Sequence, residues 1–164
     1  MPGGKDKSLY AKTAVMAILV ACFFLPVDIK SVSASLTSDL YTHFTGQFFH
    51  VNVFHLLVNL YVFWLLRFST FELIVSYLLS VPATCSSVNE CVGFSSVIYV
   101  IIGIRFLFMK MDRSGRTLFI ITNLATAFIP GIAFGVHLSS FVLGYLFARI
   151  KRLFDEYGRA CKGR

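Results

Sequence analysis

Apolar residues in this chain come in runs, and polar residues gather between the runs. Six runs stand out: Tyr10 to Val27, Phe48 to Leu66, Phe71 to Cys85, Gly93 to Met109, Leu118 to Ile132 and Ala133 to Ile150. Runs of this kind, without period-two alternation, predict helices that are apolar on most sides. Several are shorter than the roughly 20 residues that a standard bilayer requires, which predicts short or recessed spans. The fold class predicted is all-α, a polytopic membrane helix bundle of six transmembrane helices forming one domain over residues 1–164. Within it, about residues 1–9 form an N-terminal tail, about 10–150 the six-span core, and about 151–164 a basic tail whose end, from Phe154, is expected to fray. The longest connection, Asp28 to Gln47, carries Leu36, Leu40, Tyr41 and Phe44. That mixture predicts a helix or turn lying in a membrane interface.

Composition points the same way. The 164 residues are 57% hydrophobic and 14% charged, with a mean hydropathy of +0.76. Ordinary soluble domains carry about 25% charged residues. So large an apolar surplus cannot be hidden in one small core, and the outer surface must itself be apolar. The net charge of +7 could suggest a nucleic-acid partner. The cations, however, sit at the chain ends and in short connections beside apolar runs, which is how membrane orientation is encoded. In the six-span layout, all 15 Lys and Arg residues except Lys30 fall on one side. Both termini are therefore expected in the cytoplasm. The first run lacks a small-x-small cleavage site, so no cleavable signal is expected. A short chain without a targeting extension suggests a bacterial plasma membrane. Cys22, Cys85, Cys91 and Cys161 show no metal-ligand spacing, and no cofactor is implied. Cys85 and Cys91 flank a short external loop and fit either a disulfide or two free thiols.

Chemistry enters with the polar residues inside the runs. As a helix, the second run places Asn52, His55 and Asn59 at i, i+3 and i+7, one polar stripe. Polar groups at membrane depth are costly and face the bundle interior or a wet cavity. In the sixth run His137, Ser140 and Gly144 share a face, and Ser140 and Gly144 form a small-x-x-x-small pair that lets another helix approach. The fourth run opens with Gly93, Ser95 and Ser96 and later carries Gly103. Two such faces packed together bring Ser95 within reach of His137, with Tyr99 one turn below. A hydroxyl beside an imidazole is the minimal activated nucleophile. Singly, each feature has an ordinary reading: membrane histidines pack or relay protons, small residues mark helix contacts, and a helical serine bonds its own backbone.

Together, these residues resemble the rhomboid family of intramembrane serine proteases. The family's second helix carries His-x4-His-x3-Asn, matched by His50, His55 and Asn59. Its fourth helix opens with Gly-x-Ser-Gly, matched by Gly93, Phe94 and Ser95 and followed by Val97, Ile98 and Tyr99. Its sixth helix carries a His with glycines at the third and seventh positions after it, matched by His137 and Gly144. The sequence departs from the pattern at Ser96 and Ser140, where the family has glycines. Tyr41-Thr42 stands where the family has a Trp-Arg pair. The resemblance implies Ser95 as nucleophile, His137 as general base and then acid, and Tyr99 as the residue that orients its ring. It implies His55 and Asn59 as oxyanion donors beside the Ser95 N–H, and His50 as a brace for the first loop. The implied partners are transmembrane substrate proteins and the lipid bilayer. Lateral substrate access is expected past the fifth helix, where Thr122, Asn123, Pro130 and Gly131 lie. Two alternatives stay open at this level: an inactive rhomboid-like protein that binds membrane clients, and a small transporter subunit using Asn52, His55, Asn59 and His137.

Overall fold

The computed structural model describes residues 3–108, 114–115, 117, 119–121 and 132–162. Among these residues the fold is all-helical, with no strand beyond one isolated antiparallel bridge, Ala34 to Cys91. The elements are α1 (Gly3–Phe23), α2 (Ile29–Val32), α3 (Leu40–Thr45), a 3₁₀ turn (Gly46–Phe48), α4 (Val53–Leu65), α5 (Thr70–Cys85), α6 (Ser95–Phe106) and α7 (Phe134–Lys162). The predicted fifth run, including Thr122, Asn123, Pro130 and Gly131, lies mostly outside the described residues.

The second run departs from its predicted single helix. It divides at residues 49–52, and Leu40–Phe48 meets Val53–Leu65 at 85°. Asn52 causes the restart. Its backbone is extended, and its side chain accepts the His55 N–H at 2.8 Å, which makes it the N-cap of α4. Asn52 therefore caps the helix instead of joining the polar stripe, and His50 precedes the helix. No single described helix is long and apolar enough to cross a membrane; the bent pair alone reaches that length and composition.

The chain end is also corrected. α7 runs through Lys162, past Ile150, where the last run was expected to end, and through the segment from Phe154 that was expected to fray. Lys151 pairs with Asp155 and Arg152 with Glu156 at i, i+4, which supports the continued helix.

The packing order follows from what each helix buries. Leu19 of α1, Leu56 and Phe63 of α4, Leu73 of α5, and Phe94, Val97, Ile98 and Ile101 around α6 form the main core. The opposite faces stay apolar but exposed: Phe54, Tyr61 and Leu65 on α4, and Phe71, Ile74 and Leu78 on α5. At the end of the bundle away from Ser95, two contacts join neighbouring helices and a capping box starts α5. Lys12 donates to the Trp64 and Leu66 carbonyls at 2.8 and 2.7 Å, capping the last turn of α4. Ser69 and Glu72 form a capping box at the start of α5. The Glu72 carboxylate also pairs with Arg105 near the end of α6.

Between α6 and α7 the backbones nearly touch. A Cβ on Gly144 would lie 2.2 Å from the Val100 carbonyl oxygen, and one on Gly103 would lie 2.2 Å from that of Phe141. Glycine is required at both positions for the approach.

Candidate active site

Ser95 is the first residue of α6. The turn before it is anchored by Phe94, which is 2% exposed and packs edge-on against Phe63 at 5.2 Å. Gly93 has φ +120°, a conformation open to glycine and strained for any other residue. Its N–H donates to the Gly46 carbonyl at 3.1 Å. The Ser95 hydroxyl is thus presented from a pinned turn at a helix N-terminus. First-turn N–H groups there lack intrahelical partners and favour negative charge.

His137 comes from the first turns of α7, 42 residues further along the chain. Its Nε2 lies 2.9 Å from the Ser95 Oγ. Tyr99, one turn below Ser95, stacks flat on the imidazole with centroids 4.3 Å apart and planes 9° apart. For Nε2 to accept the hydroxyl hydrogen, the ring carries its own hydrogen on Nδ1. Nδ1 is buried and has no hydrogen-bond partner among the described residues, and no carboxylate faces it there. The pair is a dyad held by stacking.

His55 of α4 packs on the turn itself. A Cβ on Gly93 would sit 2.6 Å from the His55 Cε1, so the ring packs directly on the glycine backbone. Asn59 is one turn along the same face of α4; it is 4% exposed, and its Nδ2 has no partner among the described residues. His50 is 2% exposed and meets His55 edge-on at 5.0 Å. His55 and His50 therefore pack together against Gly93, and Tyr99 packs against His137. Among the described residues, no group of three or more His, Cys, Asp or Glu side chains could hold a metal ion.

The two departures, Ser96 and Ser140, are 2% and 0% exposed, and neither Oγ has a hydrogen-bond partner among the described residues. They sit on the closely packed α6 and α7 without prying them apart, since Gly103 and Gly144 still meet the opposite backbones and the dyad spans 2.9 Å. Cys85 and Cys91 are free thiols.

Sequence reasoning missed four buried polar residues behind the site: His43, Gln47, Ser80 and Thr84. A signal was present. His43 and Gln47 stand four apart, the spacing of one helical face, with Tyr41 on the face opposite.

No established family profile matches the chain. It is 27% identical over 158 residues to a protein of Acanthamoeba polyphaga mimivirus that is named provisionally as a rhomboid protein. That alignment covers 84% of this chain and 88% of the relative. The chain is thus similar to a rhomboid-like protein over most of its length. The relative is viral, so the expected bacterial membrane gains nothing from it.

Proposed function

We propose that this chain is an intramembrane serine endopeptidase that cuts the transmembrane segments of other proteins near their external ends. The observation that carries the reading is the 2.9 Å contact between Ser95 Oγ and His137 Nε2, with Tyr99 stacked on the imidazole. His137 takes the hydroxyl proton as Ser95 attacks the peptide carbonyl, then returns it to the leaving amine. The oxyanion develops beside the Ser95 N–H, His55 and Asn59, a set of donors that needs no metal. The acyl-enzyme is released by water reaching the same shallow site.

The exposed apolar faces of α4 and α5 and the cation distribution support a six-span layout in a bilayer, with both termini on the side opposite the site. A short α6 is suited to this chemistry. It keeps the nucleophile near one surface, where a substrate helix unwinds around small or helix-breaking residues. Lateral access past the fifth run belongs to this proposal.

The test uses purified protein in detergent or liposomes. A fluorophosphonate probe is expected to label the wild type and not Ser95→Ala. The wild type is expected to cut members of a panel of single-span test substrates, and Ser95→Ala none. An inactive client-binding protein predicts no labelling in either form. A transporter subunit predicts a transport activity that survives Ser95→Ala and is lost in His137→Ala.

A further inference from the structure

His43, Gln47, Ser80 and Thr84 are buried together behind the site, where the first long connection crosses α5, at 3%, 2%, 0% and 4% exposure. Buried polar groups need partners, and here they supply one another. The Gln47 Nε2 donates to the His43 carbonyl at 2.9 Å. Its Oε1 faces the Ser80 hydroxyl at 2.7 Å, and that hydroxyl also reaches the Tyr77 carbonyl at 2.7 Å. Turning the amide over would set its oxygen against the His43 carbonyl, so the network admits one orientation. The Thr84 hydroxyl donates to the Val81 carbonyl at 2.7 Å, which leaves its oxygen to accept the His43 Nδ1 hydrogen at 3.1 Å.

Gly46 lies between His43 and Gln47, and its carbonyl is the acceptor for the Gly93 N–H. That carbonyl has little freedom. The bonded side chains hold one flank, and on the other the Gly46 Cα is so close to Val32 that a Cβ would lie 2.3 Å from the Val32 carbonyl oxygen. A line of contacts therefore runs from α5 through Gln47 and Gly46 to Gly93, and from Gly93 to Ser95 and the His55 ring.

We propose that Gln47 is a positioning residue: by fixing the Gly46 carbonyl it holds the Gly93 N–H, and with it the turn that presents Ser95. The clamp stands on geometry alone, while its part in turnover rests on the protease reading. Gln47 touches no reacting atom. Its loss is felt as misplacement of the nucleophile, an error to which bond-making geometry is sensitive.

The experiment compares wild type, Gln47→Met and Ser80→Ala in detergent by amide hydrogen exchange, thermal melting and steady-state cleavage. For Gln47→Met, exchange over residues 91–95 is expected to rise about tenfold, the loss of roughly one hydrogen bond, with α5 and the rest of α6 unchanged. In turnover, kcat is expected to fall between about 10- and 10²-fold, with KM within about twofold and the protein fully folded at the assay temperature. Unchanged exchange at 91–95 overturns the clamp, and so does a kcat loss no larger than the loss of folded protein. If the wild type shows no Ser95-dependent cleavage, the protease reading fails and exchange alone decides the clamp. Should Gln47→Met not fold, Ser80→Ala removes the hydroxyl shared by Gln47 Oε1 and the Tyr77 carbonyl; a rise in exchange at 91–95 is again expected, and unchanged exchange there overturns the clamp.

Discussion

At the scale of single residues, the site is built by exclusion as much as by placement. Gly93 is the clearest case, because its φ of +120° and its contact with the His55 ring both forbid a side chain. Gly93→Ala is expected to fold and to lose at least about 10²-fold in cleavage, since ring and turn must separate; labelling by a fluorophosphonate probe measures the same loss directly. His55→Ala and Asn59→Ala are each expected to lower kcat about 10²- to 10³-fold while melting within a few degrees of the wild type. Parallel losses of melting temperature and rate would assign them to packing instead. Cys91 behaves differently from both. Burial, reinforced by the nearby Cys85 thiol, pushes its thiol above the ordinary range, so at neutral pH it is protonated and a poor nucleophile. Exposed Cys161 is expected to be alkylated well before Cys91 in the folded protein, and denaturation is expected to level the two rates.

At the scale of elements, the contact between α6 and α7 decides whether there is a dyad. Gly144→Leu would drive a side chain into the Val100 carbonyl. It is expected to cost about 1–3 kcal/mol in stability and to abolish probe labelling of Ser95. Ser96→Gly, in contrast, is expected to leave turnover within about twofold of wild type, because the two helices already meet at full closeness. A large gain in rate would show that the serine holds them apart. Much of this was legible in the sequence. Small residues at Ser96, Gly103, Ser140 and Gly144 marked the helix contact, and the lone His137 marked its chemistry. The division of the second run was not legible, because Asn52 reads equally well as a member of the polar stripe with His55 and Asn59 and as the cap that starts a new helix. The length of α7 was misjudged for a related reason. A basic tail suggests repulsion and fraying, whereas Asp155 and Glu156 fall one turn after their cations. The Gln47 network escaped notice because its members are separated in sequence and meet only after the first connection folds onto α5.

At the scale of the whole molecule, polar contacts divide between the two ends of the bundle, and apolar packing fills the middle. Ser95, His137 and the Gln47 network occupy one end; Lys12, Glu72 and Arg105 tie the other. The end without the site fastens α1 to α4 and α5 to α6; in the proposed protease the other end is where water and substrate would meet the dyad. The Lys12 contact has a practical outcome. Its ammonium lies 5.5 Å from the centre of the Trp64 ring, and this is the sole indole in the chain. Native emission at one wavelength is thus an optical gauge of whether the first helix is seated. Lys12→Met is expected to shift that emission while leaving cleavage close to normal, and an unmoved spectrum would mean that the cation and the indole are apart in solution.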